Sequence, residues 1–197
     1  CMSSPKEPFF FEAYWDRGPD YYRRVFFKHY AGERVVGESR HRNLYLPYVP
    51  PRMAQFNPHA KLIAIVRRPV ERAYSHWRYW YTRHMEDLPF DQAIEADWER
   101  IQAGKRCDTP EEIAAHVANL GPEQESVTDE SFSHGFGLYR TYLDSGYYAD
   151  QLERFLQHYP REQLLVLLFR DFTERFEETM RRVCDFLEVE PLPTEDY

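Results

Sequence analysis

What this sequence of 197 residues lacks narrows it before any motif is read. No apolar run approaches the roughly 18–20 residues that span a bilayer, and the opening CMSSPKEP lacks the charged-then-apolar layout of a signal peptide. We therefore expect a soluble chain with no membrane segment. Cysteine is scarce: Cys1, Cys107 and Cys184 are odd in number and widely spaced, which fits neither a disulfide framework nor a zinc pattern. A reducing, cytoplasmic setting is the expectation. The 8 histidines are scattered without ligand spacing, so no metal is expected. Positive charge is in deficit, with 25 Lys and Arg against 33 Asp and Glu, and the net charge of -8 argues against a general nucleic-acid binder. There is no internal repeat, which sets aside repeat architectures.

What is present is a globular composition, 43% hydrophobic and 29% charged, in a length that suits one domain spanning 1–197. Aromatic residues crowd Pro5 to Phe27 around the turn signal Asp16-Arg17-Gly18-Pro19, and a helical pattern follows at Tyr22, Val25 and Phe26. Arg34 to Glu38 reads as a short strand, and Pro50-Pro51 opens a helix that carries Met53 and Phe56. Leu62 to Val66 is short, aliphatic and partly β-branched, so it reads as a buried parallel strand. From Pro69 the apolar positions Val70, Ala73, Tyr74, Trp77 and Tyr81 recur at helical spacing. Further helices are expected over Phe90 to Ile101 and Pro110 to Val117, with a polar loop from Gly121 to Ser133. A helix broken at Asp144-Ser145-Gly146 follows, then a second apolar strand from Leu164 to Phe169 and a last helix from Phe172 to Leu187. Strands alternating with helices predict an α/β fold, a parallel sheet covered on both faces with ligands at the strands' carboxyl ends.

The chemistry concentrates where the first apolar run ends in Arg67-Arg68-Pro69. Proline is pre-set for a first helical turn, so free amides of the helix start and one or two guanidinium groups converge there, which makes an anion site. The alternative is that both arginines pair with carboxylates such as Glu71. Ser75 lies on the same helical face as Glu71, where its hydroxyl can add to a bound anion or simply bond back to its own helix. In His76 to His84, HWRYWYTRH, helical spacing makes Trp77 and Tyr81 core and leaves Arg78, Arg83 and His84 solvated; a stacking platform for sugar or nucleic acid is the alternative.

Arg67 to His76, RRPVERAYSH, resembles the R-x-P-x-x-R-A-x-S pattern of the sulfotransferases that use 3′-phosphoadenosine 5′-phosphosulfate, particularly the heparan-sulfate and related bacterial group. Other segments agree in order. Lys6 to Phe11 is similar to K-E-P-H-F-F, Val36 to Ser39 to the G-E-x-S strand end, and Tyr142 to Leu152 to Y-L-x-x-G-x-Y-x-x-Q-L, so the likeness runs from about Pro5 to Val189. The resemblance implies a parallel sheet like that of the P-loop nucleotide-binding proteins and sulfuryl transfer to a hydroxyl of a carbohydrate, lipid or other small molecule. It implies Arg67 and Ser75 as ligands of the 3′-phosphate, Gly146 and Tyr147 as the turn beside the nucleotide, and Glu7 as catalytic base. Lys6, Glu12, Glu38, Ser39 and Arg40 fall where an acceptor would bind. Without the family, Lys6 and Glu7 read first as an exposed loop pair, while Arg40, His41 and Arg42 sit where an acceptor would enter and read equally as a site for an anionic acceptor or as an ordinary polar loop.

Departures from the pattern carry their own expectations. Phe9 stands where relatives often carry histidine, and Glu12 where many carry aspartate, so the support of the base is altered. Arg170 replaces an acidic residue of a Y-E-D-L pattern and is assigned no function. The K-x-G-T-[ST] loop that cradles the 5′-phosphosulfate and the basic C-terminal loop are not in the sequence. The chain thus reads as a fragment lacking its first β-α unit and its C-terminal loop, inactive alone, for which a Golgi-type lumenal origin is the alternative to a cytoplasmic one. A second function class stays open, a sulfotransferase-like binding or scaffold domain without transfer. A kinase on a related fold would need a Walker-type loop and a magnesium carboxylate, which are not visible.

Overall fold

The aromatic opening of the chain builds a core of its own. In a computed structural model, which describes residues 1–105, 109–112, 115 and 140–190, Phe10–Ala13 forms the short helix α1 and Gly18–Phe26 forms α2, with Pro19 in its first turn. Phe9, Phe10, Phe11, Tyr14, Tyr22 and Phe26 are all buried. Phe10 stacks on Tyr22 with centroids 4.4 Å apart, while Phe11 meets Phe56 edge-on at 5.7 Å. Rings paired this way add specific geometry to a large apolar burial. This cluster fixes the segment that carries Glu7.

Arg42–Tyr45 (α3) and Val49–Phe56 (α4) follow, the second opened by Pro50 and Pro51 as the sequence predicts. Leu62–Val66 is β1, Pro69–Tyr81 is α5 and Phe90–Gln102 is α6. A single turn at Asp144–Gly146 precedes α7, Tyr148–Leu156. Leu164–Leu168 is β2 and pairs parallel with β1, Leu62 opposite Leu164 and Val66 opposite Leu168. Leu62, Phe155, Tyr159 and Leu164 form the core beneath this pair. The final segment is two helices, Phe169–Glu174 (α8) and Phe176–Leu187 (α9), because Arg175 leaves helical geometry at φ -140°, ψ 52°.

Two expectations change. Arg34 to Glu38 is not a strand: one parallel bridge joins Met2 to Gly37, with Ser3 N–H donating to the Gly37 carbonyl and Gly37 N–H to that of Cys1. Ile63 and Ile65 are 37% and 52% exposed, whereas Leu167, on the same face of the strand pair, is buried. Tyr81 is exposed and stacks on Trp77 at 4.7 Å instead of entering the core. Of the expected helix over 110–117, Pro110, Glu111, Glu112 and Ala115 are described and helical. Residues 121–133 and Cys107 lie outside the described residues. Among the described residues no helix is long and apolar enough to cross a membrane.

Candidate active site

A cleft of about 1490 Å³ is lined by residues 36–45, by Leu62 to Ile65 of β1, and by Arg72, Ser75 and His76 of α5. The parallel strand delivers Arg67 to its carboxyl end, where Pro69 opens α5 and the helix brings Ser75 to the same cavity. Arg67 is partly exposed, lies 5.4 Å over the Phe169 ring and pairs loosely with Glu71 at 3.3 Å. Arg68 faces solvent. The pairing with Glu71 read as the alternative is present as an exposed, weak contact, and Arg67 also lines the cleft.

Gly146 and Tyr147 sit behind the cleft wall and do not line it. A Cβ on Gly146 would stand 3.3 Å from the Pro69 Cβ, so the glycine is what lets the Asp144–Gly146 turn press against the start of α5. The turn is held from all sides. Tyr45 Oη donates to Asp144 Oδ2 at 2.8 Å, Arg100 pairs with Asp144 at 2.8 Å, and the buried Asp97 accepts the Leu143 N–H at 2.7 Å. Ser145 and Tyr148 are the turn residues that reach the cleft. Arg72 donates to the Tyr142 carbonyl, and burial lowers its pKa, against the pull of Tyr148 and Asp144.

Glu7 lines the same cleft with residues 38–41. Its Oε2 accepts from Arg40 Nη1 at 2.8 Å and faces His41 Nδ1 at 2.9 Å. Burial alone would raise the Glu7 pKa, but the hydrogen bonds and charges of His41 and Arg40 outweigh it and hold the carboxyl at about 2. Glu7 is therefore a carboxylate at any physiological pH.

Arg40 and Glu12, expected among acceptor contacts, are instead a buried ion pair beneath Glu7. Their side chains are 1% and 0% exposed, 2.7 Å apart, with the Arg40 guanidinium 3.9 Å over the Phe9 ring. The aromatic Phe9 thus supports the cation that supports Glu7. Glu38 is also engaged internally: Tyr22 Oη donates to it at 2.5 Å and Asn43 Nδ2 at 2.8 Å. Burial nevertheless pushes the Glu38 carboxyl up to about 7. Ser39 is exposed on the cleft wall, whereas Lys6 is exposed outside it, its carbonyl accepting from the Ser3 hydroxyl.

Sequence reasoning named His41 only with Arg40 and Arg42 as a contact for an anionic acceptor, and named neither Ser145 nor Tyr148 as a site residue. The latter two flank the pair it chose, in a turn it located. What had no local signal was the pairing of His41 with Glu7, 34 residues away. No group of three or more His, Cys, Asp or Glu among the described residues could hold a metal ion.

Comparison with known proteins places this geometry. Residues 6–196 match the family model described as "Sulfotransferase domain". "Carbohydrate sulfotransferase 15" of Mus musculus is 28% identical over 137 residues, covering 70% of this chain and 22% of that protein. "Membrane-associated sulfotransferase kil1" of Dictyostelium discoideum is 22% identical over 94% of this chain and 50% of that protein. The chain therefore spans half or less of the length of these relatives. The crystal structure of a sulfotransferase from Alicyclobacillus acidocaldarius superposes with a TM-score of 0.72 at 26% identity, covering 96% of this chain and 71% of that one.

Proposed function

From the premise that the chain belongs to the sulfotransferase family, we propose that its cleft takes 3′-phosphoadenosine 5′-phosphosulfate and passes the sulfuryl group to a hydroxyl of a glycan or other small acceptor. The observation that carries this reading is that Arg67 and Ser75, at the start of α5, and Glu7 with His41, from the N-terminal layer, line one continuous cavity. Arg67 and Ser75 would bind the 3′-phosphate through charge-assisted hydrogen bonds, aided by the free amides of the thirteen-residue helix α5. Gly146 would keep the adjacent turn close enough to bound this end, with Ser145 and Tyr148 facing the nucleotide.

In the transfer, the acceptor oxygen attacks sulfur in line with the bond to the 5′-phosphate. That bond breaks, its electron pair leaves on adenosine 3′,5′-bisphosphate, and the hydroxyl proton passes to the Glu7–His41 corner. The protein contributes placement and fixed positive charge, the usual large terms when a charged group moves. Arg40, though turned inward, sets the charge state of that corner, and Ser39 offers a hydroxyl to the acceptor. A glycan acceptor is supported by the likeness to a carbohydrate sulfotransferase.

The test is transfer itself. The full-length protein, given a radiolabelled sulfuryl donor with pools of sugars, lipids and phenols, should label one pool in a time-dependent way. Binding of the bisphosphate without label in any pool would replace the enzyme reading with that of a nucleotide-binding scaffold.

A further inference from the structure

The Glu7 carboxylate is poorly suited to receive the proton that transfer releases. Its Oε2 already meets Arg40 Nη1 at 2.8 Å and His41 Nδ1 at 2.9 Å, so that oxygen is committed to two partners before any acceptor arrives. The neighbouring imidazole is placed differently. His41 is 65% exposed against 29% for Glu7 and lines the cleft. Because an ionised carboxylate can only accept, a neutral His41 that faces Glu7 through Nδ1 must carry its hydrogen there. The lone pair is then on Nε2, which has no hydrogen-bond partner among the described residues. A carboxylate orienting one ring nitrogen so that the other takes a proton is a recurrent arrangement for activating hydroxyls.

We propose that His41, through Nε2, is the proton acceptor for the attacking hydroxyl, and that Glu7 is a positioning residue that fixes the ring and steadies the imidazolium. The proposal rests on the sulfuryl-transfer reading above. In the step, the acceptor oxygen–sulfur bond forms as the sulfur–oxygen bond to the 5′-phosphate breaks. The hydroxyl proton goes to His41 Nε2, and the leaving electron pair stays on the bisphosphate. The imidazolium so formed sits against the Glu7 carboxylate. Arg40 shares the Glu7 oxygen and is itself paired with the buried Glu12, while the buried His76 lies within the electrostatic reach of His41 and Arg42.

The test compares His41→Gln and His41→Ala with the unmodified full-length protein in the same labelled-donor assay. Bisphosphate affinity and thermal midpoint are measured alongside. The expected result is a kcat about 10²–10⁴-fold lower in both variants, the usual worth of a general base. KM for the donor and bisphosphate affinity should stay within about threefold, within the scatter expected when only a transition-state contact is removed. Added imidazole should restore part of the rate of His41→Ala and none of the rate of His41→Gln, a rescue that a merely structural role would not give. Transfer that survives His41→Gln within about threefold while Glu7→Gln abolishes it overturns this assignment alone and returns the base to Glu7. No transfer by the unmodified protein overturns the underlying reading and this one with it.

Discussion

Replacing Arg40 by methionine should be among the most damaging single changes in the N-terminal layer. Methionine keeps most of the volume under the Phe9 ring but removes the charge that neutralises Glu12, whose side chain is 0% exposed. Glu12 Oε2 has no hydrogen-bond partner among the described residues, so the Oε1 contact with Arg40 at 2.7 Å carries much of its compensation. Removing one member of a buried pair costs about 3–5 kcal/mol, because the other is left as an unpaired charge away from water. With a urea m-value of about 2 kcal/mol/M, the midpoint should fall by roughly 1.5–2.5 M. Equilibrium urea unfolding followed by tryptophan fluorescence gives the number directly. The double variant Arg40→Met with Glu12→Gln removes the orphaned charge and should regain more than half of the loss. A loss below about 1 kcal/mol, or a double variant no better than the single one, would refute the buried-pair account.

Two further outcomes follow from the geometry. Burial raises Glu38 from 4.5 to about 7, so the folded state binds the extra proton in that window and stability should fall as pH rises from about 4.5 through about 7. Glu38→Gln should flatten this slope, whose size is no more than about 3 kcal/mol, and unchanged unfolding free energies of both proteins between pH 5 and 8 would contradict it. Glu7 works in the opposite sense: held at about 2, it contributes stability above its unfolded pKa that is lost as pH falls from about 4.5 toward 2. Gly146→Val forces side-chain atoms against Pro69, within 3.3 Å of the position of the added Cβ, and should cost about 1–3 kcal/mol while weakening nucleotide binding through displacement of α5. Thermal unfolding and bisphosphate titration check both halves, and an unperturbed protein would show that the turn does not press on the helix start.

Much of the fold was legible because local periodicity and a strand-to-helix junction are local properties. β1, β2, α5 and α6 fall within one or two residues of expectation, as Leu62–Val66 and Pro69–Tyr81 show. Arg67 and Ser75 could be placed together because one strand and one helix set both. What stayed hidden depends on partners remote in sequence. Arg40 reads as a solvated loop cation until the chain folds Glu7 and Glu12, 33 and 28 residues away, around it. The pairing of His41 with Glu7 is hidden for the same reason. The expected strand over Arg34 to Glu38 failed differently: its residues have strand propensity, but propensity needs a ladder, and only Gly37 finds a rung, opposite Met2. The break at Arg175 likewise splits a helical pattern that continues in the sequence from Phe172 to Leu187.

The central claim, that the carboxyl end of β1 and the start of α5 hold a nucleotide 3′-phosphate, is tested most directly by calorimetric titration of the full-length protein with adenosine 3′,5′-bisphosphate and with adenosine 5′-monophosphate. The account predicts clear preference for the bisphosphate. Arg67→Ala should weaken it by about 10–150-fold and Ser75→Ala by about 2–10-fold, the ordinary worth of a charged and a neutral hydrogen bond, with neither change touching the monophosphate. Equal affinity for the two nucleotides, or a bisphosphate affinity indifferent to Arg67, would contradict it.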